Sequence, residues 1–427
     1  MKNNLLLIVI SILTLNIQAQ TKIVKAKAYL DVSQGTLIEP AILIIENGII
    51  TAINPKVQPN NAELIDLGTK TLLPGLMDVH VHLDMNFESG YQYKLVTENS
   101  SKATLRAVNN AEKTLMNGFT TIRNIGLTNP SPELIDVALA EASDSEWIKA
   151  PRIIPSGHMI GITGGHADPS MMGGFAENIM DLGWKYGIAD GPEELLKAVR
   201  YQIKYGAKAI KIMATAGVMS LEASVGAQQM TNEEMKTVVD EAKRHDLTVS
   251  AHAHGTEGII AAINAGVNSI EHGSLLSDEA IALMVEKNVF LVPTTGLLDN
   301  IERNYDNMDM RLVKKSKSIL PQARKSVNKA IKAGVKIALG SDAPLIPHGE
   351  NMLELFAMIE RGMTPTDAIK AATINPAELL KLNDRGQLKT GFLADIIAVD
   401  ENPLQNIKTL EKVTFVMKGG KTYKLED

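Results

Sequence analysis

Eight short apolar runs alternate with helical stretches along the middle of the chain, and that alternation restricts the folds open to it. The first run ends at His82; the others cover 118–123, 152–155, 209–213, 248–252, 269–272, 289–293 and 335–339. Helical patterns intervene: 192–203 opens with a proline in its first turn, 232–244 follows the capping residue Thr231, and a long one covers 311–333. Eight strands with interleaved helices over about 300 residues predict a (β/α)8 TIM-like barrel. The two ends of the chain read differently. Runs at 22–26, 41–45 and 49–53 are strand-like, as are 394–399, 414–417 and 421–423, with Glu46-Asn47-Gly48 and Lys418-Gly419-Gly420 as hairpin turns. Both termini are expected to build one small β-sandwich from 20–73 and 382–427, leaving 74–381 to the barrel.

Barrels of this kind carry their chemistry at the C-terminal ends of the strands. Residues of that type do gather there. His80 and His82, two apart on one strand, point to the same face and present two imidazoles together. His252 ends the fifth run, His272 the sixth, and Asp342 follows the eighth. A lone His-x-His also occurs at solvated strand ends, so the weight lies in the set rather than the pair. Lys211 sits between Ile210 and Ile212 on the fourth run and so faces the barrel interior. A buried ammonium there needs a partner. Asp342 or Glu271 would serve; alternatively the lysine is carboxylated by carbon dioxide, giving an anionic carbamate long enough to bridge two metal ions.

Composition removes other classes. The chain has 427 residues, no cysteine and a formal net charge of −6, so thiolate zinc sites, iron–sulfur clusters and disulfides are excluded. Charges are well mixed and aromatics make up 4%, which argues against a nucleic-acid partner. Residues 1–19 read as a signal peptide, with Lys2, an apolar core from Leu5 to Leu15 and Ala19 at the cleavage position. A periplasmic or secreted mature protein, without a membrane contact, is the expectation; retention as an uncleaved anchor is the alternative. The subunit number stays open, a homo-oligomer included.

The stretch Pro74-Gly75-Leu76-Met77-Asp78-Val79-His80-Val81-His82 resembles the opening motif of the metal-dependent amidohydrolase superfamily. Thr163-Gly164-Gly165-His166, the segment 206–211, Ala251-His252-Ala253-His254-Gly255, Ile270-Glu271-His272-Gly273, Gly340-Ser341-Asp342-Ala343-Pro344 and Pro347-His348-Gly349-Glu350-Asn351 extend the likeness. Together they resemble the branch with imidazolonepropionase-like proteins and Xaa-Pro dipeptidases. Asn124 and Ala216 depart from its pattern, and Lys211 separates the chain from mononuclear imidazolonepropionases.

The resemblance implies two divalent ions, zinc expected. His80, His82 and Asp342 would hold one, His252 and His272 the other, with carboxylated Lys211 and a hydroxide between them. Asp342 would carry the proton from the hydroxide to the leaving nitrogen. His166, His254, His348 and Ser220 are candidates for substrate contact, with solvated or supporting roles as the simpler reading. The expected substrate is a small molecule, a dipeptide or N-acyl amino acid; a cyclic amide is the alternative, and a non-catalytic scaffold the reading from another class.

Overall fold

The computed structural model describes residues 21–426 apart from 89, 177, 178 and 223. The expected signal peptide lies outside the described residues. Parallel pairing joins the first three barrel strands, Leu76–Val81, Phe119–Asn124 and Arg152–Pro155. A second parallel set follows in order: Ala209–Met213, Thr248–Ala253, Ser269–His272 and Phe290–Val292. Single bridges complete the ring. Ile160 pairs with Ile212 and Leu291 with Ile337, and the amide of Val79 donates to the carbonyl of Leu339 at 2.9 Å.

The eighth run, 335–339, is therefore not a regular strand. Its groups bond to both neighbours, but Leu339 N–H donates sideways to Ala371 at 2.7 Å, so the ladder is interrupted. Gly340 explains how the chain still passes close to the first strand. A Cβ at that position would lie 2.6 Å from the Cβ of His80.

The helices bury one stripe each against the barrel. In Asn232–Arg244, Met235, Val238, Val239 and Ala242 are buried at helical spacing, and Thr231 with Glu234 forms a reciprocal capping box. The long helix runs Met310–Lys332. Sequence periodicity did not reveal Thr295–Arg303 or Met352–Glu360, two nine-residue helices that pack on each other beside the barrel mouth.

Two further sheets hold the termini. One orders Ile49–Ile53, Ala41–Glu46, Lys22–Ala26 and Glu63–Asp66. The other orders Lys421–Leu425, Phe415–Lys418, Ile396–Val399, Thr71–Pro74, Ala28–Asp31 and Thr36–Ile38. Val24, Leu43 and Ile50 meet Leu72, Ile396 and Phe415 in one buried cluster. Pro74 ends its strand in the six-stranded sheet and Leu76 opens the first barrel strand, so the strand that presents His80 is anchored at its start.

Candidate metal centre and active site

The expected strand-end residues converge at the bottom of one cleft. His80, His82, Lys211, His252, His272 and Asp342 all line it, as do His166 and His254. Two groups of donor atoms stand out, His80 with His82 and Asp342, and His252 with His254 and His272; within each, the atoms lie within 4.8 Å of one another. His80 Nε2 and His82 Nε2 are 3.4 and 3.5 Å from Asp342 Oδ1. Those separations are long for hydrogen bonds. They match the roughly 3.3 Å edge of a tetrahedron of ligands about 2.0–2.1 Å from a central ion.

The far side of each ring is occupied. His80 Nδ1 donates to Glu271 Oε2 (2.8 Å) and His82 Nδ1 to the carbonyl of Gly126 (2.8 Å). Nδ1 of His254 meets Ser274 Oγ (2.7 Å), and Nδ1 of His272 meets Thr294 Oγ1 (2.8 Å). The carboxylate and the carbonyl only accept, so Nε2 is the free lone pair of His80 and His82; a hydroxyl takes either role opposite Nδ1 of His254 and His272. His252 Nε2 is buried with no hydrogen-bond partner, an atom that wants a ligand. Burial, and then the nearby Lys211 ammonium, push His80 down to about 4. Burial with neighbouring imidazoles holds His252 and His272 well below the ordinary imidazole value. These rings are neutral at pH 7, the form that binds metal. The residues present therefore fit a divalent-ion centre.

Beneath the rings lies an ionic floor in which sequence reasoning missed Arg123 and its pairing with Glu271. Arg123, on the second strand, has no exposed surface; its Nε donates to the carbonyl of Val79 (2.7 Å) and its Nη2 to Glu271 Oε1 (2.9 Å). Ser269 Oγ also donates to Glu271, at 2.5 Å. Burial alone would push the Glu271 carboxyl up, but Arg123 and His80 hold it down at about 2. Glu271 is thus an ionised acceptor that fixes the tautomer of His80. Its partner was visible as the arginine of 118–123, but a sequence does not show which carboxylate crosses the barrel to meet it.

Lys211 sits in the same floor, fully buried. Burial lowers its ammonium to about 8, against the pull of Glu271 and Asp342. The charges of Glu271 and Asp342, the two partners considered from sequence, pull on it and that of Arg123 opposes them, but among the described residues Lys211 forms no ion pair within 4.0 Å. Asp78 braces the opposite side. It accepts from His80 N–H (3.0 Å), Ser341 N–H (3.1 Å), Ser341 Oγ (2.5 Å) and Asn351 Nδ2 (2.8 Å), tying the first strand to the loop that carries Asp342.

His272, Thr294 and Asp342 all have left-handed backbones, with φ of 70°, 46° and 56°. None is glycine, so each costs of order 1–3 kcal/mol held by the surrounding bonds. The helix after Thr294 lacks a local side-chain cap; buried Glu354 supplies one from a distance by accepting from Thr295 N–H (2.9 Å) and Gly296 N–H (2.5 Å).

The four residues expected near substrate separate. His166 and His254 line the cleft, and His254 joins the second donor group. Ser220 is buried behind His166, with its Oγ 2.5 Å from His166 Nδ1. Gly217 permits this approach, since a Cβ there would meet the imidazole at 2.2 Å. His348 lies outside the cleft lining; its Nε2 contacts the carbonyl of Met85 at 3.2 Å, where it props the loop after the first strand. Position after the eighth run put it on the same rim, but the loop folds its ring inward under that neighbour.

The sequence profile of the Amidohydrolase family matches residues 71–423. This chain belongs to the amidohydrolase family. It is 38% identical over 374 residues to an ochratoxinase of Aspergillus niger, covering 83% of this chain and 75% of that protein. A crystal structure of a Xaa-Pro dipeptidase with methionine bound in its active site superimposes with a TM-score of 0.88 at 36% identity, covering 95% of this chain and all of that one. The imidazolonepropionase of Deinococcus radiodurans is 22% identical over 386 residues, 85% of this chain and 86% of that protein. As an amidohydrolase, the protein is a hydrolase acting on amide bonds of small molecules.

Proposed function

We propose that this amidohydrolase is an exported, binuclear metal enzyme that cleaves the amide bond of a dipeptide or an N-acyl amino acid. The observation that carries the proposal is the pair of donor groups, each spaced for an ion, with the buried Lys211 in the floor of the same cleft. His80, His82 and Asp342 would hold one ion, and His252 and His272 the other. Carboxylated Lys211 would join them, and His254 stands close enough to His252 and His272 to orient the second set. When bound, two divalent ions, zinc by ligand type, would supply Lewis acidity for the scissile carbonyl and an activated water.

The chain's own groups do the rest. Asp342 is the carboxylate among the described residues lining the cleft. In the metal-free protein burial opposes its charge, but the imidazoles of His80 and His82 and the Lys211 ammonium hold its pKa below the usual carboxylate range. As a carboxylate it would take a proton from the attacking water and give it to the departing nitrogen. Arg123 and Glu271 keep His80 in one tautomer during that transfer. Burial excludes bulk water from the floor and strengthens each of these interactions.

The test is direct. Mature protein purified with zinc and bicarbonate is expected to hold about two ions per subunit, one for each donor group. Labelled bicarbonate should give a lysine carbamate carbon signal. At most one ion at saturating metal, with no carbamate signal, overturns the binuclear reading.

A further inference from the structure

Away from the donor groups the cleft becomes almost wholly apolar. One wall is Leu297, Leu298 and Ile301 of helix Thr295–Arg303, with Ile319, Leu320 and Ala323 of the long helix. Phe87 and Met219 also line the cleft, which has an empty volume of about 1040 Å³ with its mouth included. Among the described residues lining it, Lys211 and Asp342 are the charged ones, and both are at the donor end. The nearby charges outside are engaged except for one oxygen: Glu222 Oε1 accepts from Gln229 Nε2 (3.2 Å), while its Oε2 is buried without a partner, on the polar side beside His166. Lys315 turns its ammonium to the carbonyls of Ser220 (2.8 Å) and Glu222 (3.0 Å). Asp299 pairs with Arg324 and Arg361, Asp309 with Arg311, and Glu222 lies 3.7 Å from His166 Nδ1.

A free dipeptide carries an α-ammonium on the acyl side of its scissile bond. Seated against this wall, that ammonium would lose its water and find no carboxylate among the wall's own residues, which is costly for a charge. A neutral hydrocarbon acyl group would instead replace apolar surface exposed to water on both sides. The substrate carboxylate, on the amine side, can stay at the polar end with His166 and His254. Resting on the amide-hydrolase reading above, we infer that the preferred substrate is an N-acyl amino acid whose acyl group is bulky, neutral and apolar, rather than a free dipeptide. In the reaction the amide C–N bond breaks, the water oxygen joins the acyl carbon to give a carboxylic acid, and the nitrogen leaves with the proton as the free amino acid.

The matched pair of substrates for the test is leucyl-alanine and 4-methylpentanoyl-alanine, which differ in the ammonium alone. Zinc- and bicarbonate-loaded wild-type protein should cleave the second with at least tenfold higher kcat/KM, and decanoyl-alanine at least tenfold better than acetyl-alanine. Leu298→Glu, which places a carboxylate in the wall, should narrow or reverse the preference between the matched pair. Equal or better cleavage of leucyl-alanine by the wild type would overturn this inference while leaving the amide-hydrolase reading intact. Cleavage of no amide in either series by metal-replete protein would overturn both.

Discussion

Replacing Arg123 with methionine tests the ionic floor most severely. The change keeps an unbranched chain of similar reach but removes the guanidinium that meets Glu271 at 2.9 Å and the Val79 carbonyl at 2.7 Å. Both side chains are fully buried, so solvent cannot replace what is lost. Removing one partner of a buried pair costs about 3–5 kcal/mol. An orphaned carbonyl adds of order 1 kcal/mol or more. Glu271 would then lose the main cation that opposes its burial and become harder to ionise, weakening its grip on His80 Nδ1. Loss of such an orienting contact lowers metal affinity by about 10- to 100-fold. Urea unfolding of metal-free protein should show Arg123→Met destabilised by about 4 kcal/mol, and chelator competition should show the weaker metal. Arg123→Met combined with Glu271→Gln removes the stranded charge and should recover about 2 kcal/mol of the loss. Wild-type stability and metal affinity in Arg123→Met, or no recovery in the double variant, would refute the assignment of Arg123 and Glu271 as one unit.

Three further outcomes are expected. Lys211→Ala should retain its fold but lose most of its activity and bind about one ion fewer, and short carboxylic acids should restore part of the turnover; wild-type turnover would make the lysine purely structural. Asp342→Asn should lower kcat per bound metal by roughly 100-fold or more while KM moves little, and unchanged turnover per metal would reduce Asp342 to a ligand. Asp136, buried where it accepts from Ser156 N–H and Gly157 N–H, has its carboxyl pushed up to about 6 by burial. The folded state therefore holds an extra proton between the ordinary aspartate range and about pH 6. Its contribution to stability falls as pH rises through that window, by at most about 3 kcal/mol. Melts of Asp136→Asn should show the variant gaining on the wild type between pH 4 and 7, and parallel pH profiles would refute the burial argument.

Much of the scaffold could be read from periodicity. The run at 209–213 is the strand Ala209–Met213, and Thr231 caps the helix that was expected after it. The strand-end histidines were legible because a barrel turns a sequence position into a place on one rim. The weaknesses have physical causes. The run 335–339 is apolar like its neighbours, yet the alternating bond to Ala371 breaks its ladder, and no pattern in five residues shows a partner 32 positions away. Leu105, on the helix Ser100–Met116, is apolar yet 72% exposed, so an apolar residue on a helix does not always mark its inner face. Arg123 and Asp78 read as ordinary strand residues, and Glu271 only as a possible partner for Lys211, because their function lies in contacts 148, 191 and 263 positions apart. His348 shares the glycine-rich loop context of His166, and only the fold separates a ring in the cleft from one beneath it.

The left-handed backbones at His272, Thr294 and Asp342 set an evolutionary slope. Glycine, or asparagine to a lesser degree, would occupy these conformations with less strain. Mutation at all three positions therefore has a route toward a sturdier protein that has lost a donor side chain of the cleft or the hydroxyl that meets one. For a chain of this design inactivity is the downhill direction, and a descendant freed from its substrate would harden into an inert scaffold without any need to change its fold.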